Sequence, residues 1–534
     1  MKFTKEQQKI LKNYFTNSKS DVFVLTNLPE VIKGTLFSRY SRTNKDLRSL
    51  FLEEFISSKY LKDFFKNQAS INQKFLDTKK AEDFYQRILI GFGDDSVAEL
   101  GGAHLAIENI SVLATKSLEE HRLGLSFLEK SSRYVYFDKK INNQYQFYKP
   151  ARILNSKFRD LYLETNNFLF ESYSKIVREL QPILKEIYRG DENDPAYKFS
   201  IRAKACDLAR GLLPLAAKTN LGVYGNGRAF EYLLISLYAN PLEEVKDLAF
   251  QVQKNLEKVI KPFILRAKND KGLAYQNYLI SREKALKNLE NYSSSQKIVN
   301  SSEVKLIEKD SQAIEKIIAA LIFEKTNLNY KQAFQKALKL ETKEKQKILN
   351  NYLNLRENRF QKPGRALEQV YFTFEITADW GVYKDLMRHR VLTRFKQNFT
   401  NDLGFFMPQE INHSPFKDLY LQATAKAFES FSKIKKVFPI EAQYLVLHSA
   451  FNRFVIKLNL REINHLTELR SSQQGHSSYR KIAQQIAKLV INDYPILKPV
   501  FKFVDFNDYD LERLRAFQKI QEKAKKLNIV PFEE

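Results

Sequence analysis

Along the 534 residues the prevailing pattern is helical, with apolar positions returning every three or four residues. The clearest stretches, LYLETNNFLFESYSKIVRELQPILKEIY (161–188) and YKQAFQKALKLETKEKQKILNNYL (330–353), each predict an amphipathic helix. Shorter β-rich runs interrupt this pattern, and VFVL (22–25), RYVYF (133–137), VYFTFEI (370–376) and GFFMP (404–408) predict strands. The regular strand–helix alternation of a doubly wound sheet is missing, so the expected class is α+β.

The Ser- and Asn-rich segment NLENYSSSQKIVNSSEVK (288–305) predicts a linker between residues 1–287 and 306–534. The two halves echo each other. GDDSVAELGGAHLAIENIS (93–111) precedes HRLGLSFLEKSSRY (121–134), as KPGRALEQVYFTFEI (362–376) precedes RHRVLTRFKQNFT (388–400). NGRAFEYLLISL (226–237) likewise answers NLREINHLTELR (459–470), which predicts a tandem duplication.

Composition then narrows the chemistry. No run of eighteen uncharged apolar residues exists, and the opening MKFTKEQQKILKNYF scatters charge through its apolar positions, so a cytoplasmic protein without a membrane span is expected. Cys206 is the single cysteine, which excludes an intrachain disulfide and a cysteine-based metal site; no HExxH pair occurs, and no metal is expected. With 87 Lys+Arg against 62 Asp+Glu the net charge is +25, a field that attracts anions. Much of the excess is evenly spread lysine without interleaved aromatics, so nucleic acid is not the expected partner. Neither GxxxxGK[ST] nor a placed GxGxxG is present, and recognition of phosphate must rest on side chains.

Three windows offer such side chains. In SFLEKSSRY (126–134), Glu129, Ser131 and Arg133 alternate and would share one edge of an extended loop, suiting a ligand with hydrogen-bond donors and a phosphate; a turn with a surface ion pair is the plainer reading. In 459–480, Arg461, His465 and Glu468 share a helix face that Arg470 closes, as a solvated salt-bridged helix also would. In 207–233, Arg210 precedes an apolar turn with Pro214 and a Gly-rich bend, after which Asn226 and Arg228 open a helix. Asn there is an N-cap, at a terminus that also receives anions. DLMRHRVLTRF (385–395) adds Arg388, His389 and Arg390, which could simply offset a helix C-terminus.

RHR followed by a hydroxyl residue, and E-x-S-x-R-Y, resemble two parts of the continuous signature R-H-R-x-x-S-x-N-E-x-S-x-R-Y of flavin-dependent thymidylate synthases. SVAEL and IENIS resemble that family's S-V-L-E-H and I-E-G-I-S, LARGLLP and NGR its A-R-x-x-L-P and N-x-R, and LREINHLTELR with GH and YR its closing helix. The chain looks like a long form in which such a domain occurs twice, helix-rich with a β-sheet in each repeat. Each repeat departs from the signature where the other keeps it. The first has Glu129, Ser131, Arg133 and Tyr134 but His121, Arg122 and Leu123 in place of RHR; the second has Arg388, His389, Arg390 and Thr393 but Lys396, Asn398 and Thr400 in place of Glu, Ser and Arg. Arg470 matches the family's substrate-binding arginine, and Leu237 stands there in the first repeat.

The resemblance implies synthesis of dTMP from dUMP, with FAD as cofactor and methylenetetrahydrofolate and NADPH as co-substrates. It assigns dUMP to Glu129, Ser131, Arg133, Arg210 and Arg470, and flavin to Arg388, His389, Arg390, Asn226, Arg228, Asn459, Arg461 and His465. Ser131 would bind rather than attack, no histidine base being adjacent. Family enzymes are homotetramers, so a two-repeat chain implies a homodimer. Two other readings stand beside this one: a flavoprotein of the same fold acting on another pyrimidine, in a nucleotide or in RNA, and a non-catalytic duplicated relative.

Overall fold

The computed structural model describes residues 3–55, 95–294 and 297–529; Gly93 and Asp94 of the first echo motif, and Ser295 and Gln296 of the linker segment, lie outside them. In chain order the elements that position the site begin with β1 (Gly102–Ser111), α1 (Val112–Glu119), β2 (Leu125–Glu129), α2 (Arg159–Ile187), α3 (Pro195–Ala209), β3 (Lys218–Asn226) and α4 (Gly227–Tyr238). They continue with β4 (Glu303–Lys309), β5 (Tyr371–Asp379), α5 (Trp380–Leu386), β6 (Thr393–Lys396), α6 (Lys417–Lys435), β7 (Phe451–Asn459), α7 (Leu460–Arg470), α8 (Ser477–Asp493) and α9 (Leu514–Leu527).

The duplication is visible in sheet topology. The first sheet has the order β1-β3-β2 and the second β4-β5-β7-β6, so β5-β7-β6 repeats the first arrangement and β4 is an added edge. β2 runs antiparallel to β3 with Leu125 opposite Gly225, and β6 runs antiparallel to β7 with Thr393 opposite Lys457. Small details recur as well. The Gly227 N–H donates to Gly101 O at 2.9 Å, and the Leu460 N–H to Val370 O at 2.9 Å. Short 3₁₀ turns, Asp95–Glu99 and Arg365–Gln369, precede β1 and β5.

Repeats and compact units divide the chain differently. One compact unit gathers residues 1–110, 114–129 and 219–293, the other 111–113, 130–218 and 294–534. The first unit contains the first sheet and α4, together with an N-terminal cluster built on Ile10, Leu11, Phe15, Ile32 and Phe51. The second contains the second sheet and most of the long helices. There α2 and α6 lie together, with the Thr165 and Ser430 hydroxyls 2.8 Å apart, and α9 covers α3 through Phe517 against Ala196 and Ala203.

Several local expectations are corrected. The predicted helix 330–353 is two helices, Tyr330–Lys339 and Thr342–Leu353, because Glu341 and Glu344 form a capping box that starts the chain afresh. VYFTFEI is strand β5, but RYVYF forms no strand. The Tyr134 and Val135 amides fold back on Ser131 O, and Tyr136 takes Arg178 at 4.0 Å and Arg202 at 4.6 Å from its ring centroid. VFVL and GFFMP each make one isolated bridge, Leu25 with Phe15 and Phe405 with Ala450. The Gly-rich bend expected before Asn226 is the end of strand β3, where a Cβ on Gly225 would lie 2.1 Å from Leu125 Cδ2. The last three residues of the expected linker begin strand β4.

Candidate functional site

The site is built in the second unit where β5 passes into α5. Asp379 ends the strand and caps the helix, its Oδ1 accepting from the Val382 N–H at 3.1 Å. Nearly two turns on, burial alone would raise the Asp385 carboxyl, but Arg470, Arg388, Arg133 and Arg210 together hold it below the usual carboxylate range. Four residues singled out from sequence thus converge on one carboxylate that was not.

Arg470, the last residue of α7, is held in several ways. Its Nε–H donates to His389 Nε2 at 3.1 Å, and its guanidinium lies 5.7 Å from the centroid of the Tyr479 ring. Arginine can only donate, so His389 Nε2 must accept; the proton then sits on Nδ1 and is donated to Glu462 Oε1 at 2.7 Å. His389 is therefore a neutral, fixed tautomer, buried between flanking residues Arg388 and Arg390 that are exposed. His465 meets His389 edge-on at 5.5 Å and accepts from Lys362 at 3.0 Å; burial first, then Lys362, lowers its pKa. An open pocket of about 290 Å³ is lined by Arg388, His389, Arg390, His465 and Arg470.

Arg133 is engaged differently. Its Nε and Nη2 donate to the two oxygens of Asp207 at 3.0 and 3.1 Å, and its Nη1 to the Tyr479 hydroxyl at 3.2 Å. Arg513 adds a 2.6 Å bond to the same carboxylate. Burial works against that charge, but Arg133 and Arg513 keep Asp207 ionised with a pKa well below normal.

A second, narrow cleft, of about 50 Å³, opens beside Asp379. Its lining includes Arg210, Asp379, His476, Lys204, Glu410 and Glu512. Lys204 bridges Glu410 at 3.0 Å and Glu512 at 3.4 Å. His476, the cap of α8, is kept neutral by burial and then by Arg210. Arg210 is only 6% exposed, yet its guanidinium makes no hydrogen bond or close ion pair among the described residues.

Other candidates stand elsewhere. Glu129 ends β2 in the first unit, buried, and accepts from Lys116 at 3.2 Å, while the Ser131 hydroxyl accepts from the Arg133 N–H of its own turn. The shared edge of an extended loop is thus replaced by a turn that sends Glu129 and Arg133 to different partners. Asn226 and Asn459 cap α4 and α7. Arg228 pairs with Glu99 at 2.6 Å and Arg461 with Glu368 at 2.8 Å. Among the described residues no cluster of His, Cys, Asp and Glu could hold a metal ion.

Sequence reasoning missed the acidic partners Asp207, Asp379, Asp385 and Glu462. Asp207 and Asp385 stand three residues before Arg210 and Arg388, which was the available signal. Arg513 and Glu512 arrive from a distant segment and had none.

The family model for thymidylate synthase complementing protein matches residues 55–260 and again 305–496. The chain belongs to this family. Its two matched segments reproduce the two-sheet duplication, and Arg513 and Glu512 fall beyond the second. A relative from Chlamydia muridarum named UPF0159 protein is 42% identical over 98% of this chain and 99% of its own length. The flavin-dependent thymidylate synthase of Pyrococcus furiosus is 28% identical over 34% of this chain and 65% of its own. A solved UMP/dUMP methylase, PolB from Streptomyces cacaoi bound with 5-Br dUMP, is 15% identical, covers 39% of this chain and 97% of its own, and superposes with a TM-score of 0.31, too slight a likeness to argue from. No described helix is long and apolar enough to cross a membrane.

Proposed function

We propose that this family member converts dUMP to dTMP, taking a methylene from methylenetetrahydrofolate and reducing equivalents from NADPH through FAD. The observation that carries this reading is the gathering of Arg388, Arg390 and Arg470 around one open pocket, with Arg470 3.8 Å from Asp385 and with Arg133 and Arg210 near enough to help hold that carboxyl below its usual range. Asp207 offsets the Arg133 guanidinium and Asp385 part of the remaining charge, and a nucleotide phosphate would offset what is left on Arg210, Arg388 and Arg470. Arg210 and Arg470 contact the nucleotide in this proposal. Arg133, clamped by Asp207, stands one step back and fixes Tyr479.

The residues fit a flavin through its pyrophosphate. Exposed Arg388 and Arg390 border the open pocket, and Lys362 lies beside His465, so cations stand where a glycine-rich loop would otherwise be needed. Flavin, when bound, supplies the redox chemistry. His389 contributes a fixed proton on Nδ1 and holds Arg470 in place. Asn459 and Arg461 order the same helix from its N-terminus; Asn226 and Arg228 do so for α4.

The repeats would be residues 1–287 and 306–534, joined by 288–305, and the active assembly a homodimer of four repeats. A mass of one chain by light scattering at all concentrations would refute the dimer. Enzyme supplied with methylenetetrahydrofolate, FAD and NADPH should release tritium from 5-tritiated dUMP. A flavin-loaded enzyme that releases none would point instead to a relative acting on another pyrimidine.

A further inference from the structure

The cleft beside α5 holds polar groups that the protein does not itself satisfy. Asp379 is 4% exposed; Oδ1 caps the helix, whereas Oδ2 lacks a hydrogen bond of regular geometry, the Ser478 hydroxyl being near enough only to moderate its charge. Capping needs a single oxygen, which Asn, Ser or Thr would provide without burying a carboxylate. The second oxygen therefore needs another account. Burial holds the acid above its usual pKa, as expected of a carboxylate deprived of water and donors.

Next to it stands Arg210, also buried, whose charge acts on Asp379 and Asp385 but whose guanidinium donates no hydrogen bond among the described residues. Gly381 sets the spacing between them. A Cβ there would lie 2.9 Å from Arg210 Nη2 and 2.9 Å from Asp379 Oδ1, so glycine alone leaves this position open. Leu208, Phe406 and Pro408 add apolar wall to the same cleft. A donor and an acceptor side by side, next to apolar surface, match the edge of a flat ring on which a carbonyl adjoins an N–H.

We infer that the cleft recognises a ring lactam, Arg210 donating to its carbonyl oxygen and Asp379 Oδ2 accepting from its N–H. This rests on the proposed function and specifies how that site reads its ligand. Uracil, the pterin of a folate and the pyrimidine edge of a flavin all present this pair of groups. Cytosine presents a ring nitrogen that accepts, and two acceptors facing each other repel, so Asp379 makes the cleft select lactam rings over amino rings.

Titration of the full chain with dUMP, dCMP, 5-formyltetrahydrofolate and FAD tests this. Asp379→Asn keeps the cap, so its melting temperature should stay near that of the wild type. If uracil is the ligand, the variant loses about tenfold in dUMP affinity and gains for dCMP, as expected when one buried polar match is exchanged for another. If the pterin or the flavin is the ligand, the loss of about the same size falls on 5-formyltetrahydrofolate or on FAD instead. Gly381→Ala, which leaves every charge in place, should weaken the same ligand. Unchanged affinities in a folded Asp379→Asn protein would reduce Asp379 to a cap and overturn the inference, as would failure of the wild type to bind any of the three lactam ligands. Lactam binding without tritium release from dUMP would instead count against the proposed reaction alone.

Discussion

At the corner from β3 into α4, Asn226 accepts from the Ala229 N–H at 2.8 Å and Arg228 reaches Glu99; at the corner from β7 into α7, Asn459 accepts from the Glu462 N–H at 2.9 Å and Arg461 reaches Glu368. Eleven residues past each cap the corners part company. Leu237 is 1% exposed in the core of the first unit, while Arg470 is held between His389, Asp385 and the Tyr479 ring. The comparison teaches that capping and arginine–glutamate pairing are common to both corners, whereas the residue further along the helix is apolar core in one and a positioned guanidinium in the other. Asn-x-Arg therefore builds the same corner in both repeats, and under the proposed function Arg470 distinguishes the repeat that binds.

The harshest way to break the comparison is to give the first corner the second one's arginine. Leu237→Arg places an unpaired charge in a filled core and should destabilise the first unit by about 4 kcal/mol or more, seen as lost solubility or an early melting transition. A mild effect would mean that the first corner retains a latent site. The reverse exchange, Arg470→Leu, should leave the fold intact and cost about 1.5–3 kcal/mol of dUMP binding, the usual worth of a charged hydrogen bond. Equal dUMP affinity in that variant would remove Arg470 from the ligand.

Acid should also separate the two regions. His476 has a folded pKa below its ordinary 6.5 because it is buried and faces Arg210, so the unfolded chain binds a proton that the folded chain refuses. Its contribution is complete above pH 6.5 and falls by about 1.4 kcal/mol for each unit of acidification below that. Hydrogen exchange followed by mass spectrometry should show α8 loosening between pH 6.5 and 5 before α4 does, and His476→Gln should flatten that slope. The smallest effect sharpens the shared part: Asn226→Ala and Asn459→Ala should each cost about 1 kcal/mol by thermal melting, as caps do. A much larger loss at one of them would show a second duty there.

Much of this was legible in the sequence, and the reasons for the rest are physical. Helix α2 was readable because its apolar spacing is uninterrupted over eight turns, and the echo of NGR in NLR exposed the duplication that the sheets then displayed. RYVYF misled because aromatic and branched residues favour strands only when a partner strand exists; here the rings meet arginines instead. FNRFVIKLN, strand β7, alternates as a strand should but adjoins a strong helical pattern that masked it. Arginines of the site could be found by motif, since their chemistry is read locally. Arg513 is the exception: it carries no motif and meets Asp207 across 306 residues, and only the fold brings that pair together.

That separation has a consequence for how the chain is made. The second compact unit needs residues 130–218 as well as 294–534, and its Arg133–Tyr479 and Lys204–Glu512 contacts span 346 and 308 residues. On the ribosome, α2 and α3 emerge long before the strands and helices they will pack against, and must wait with apolar faces uncovered. Contacts so remote in sequence make assembly slow and expose intermediates to aggregation. The site is therefore among the last parts to form, completed only when α9 docks on α3 and delivers Arg513, so a nascent chain truncated before that segment should hold its first sheet without a finished binding centre.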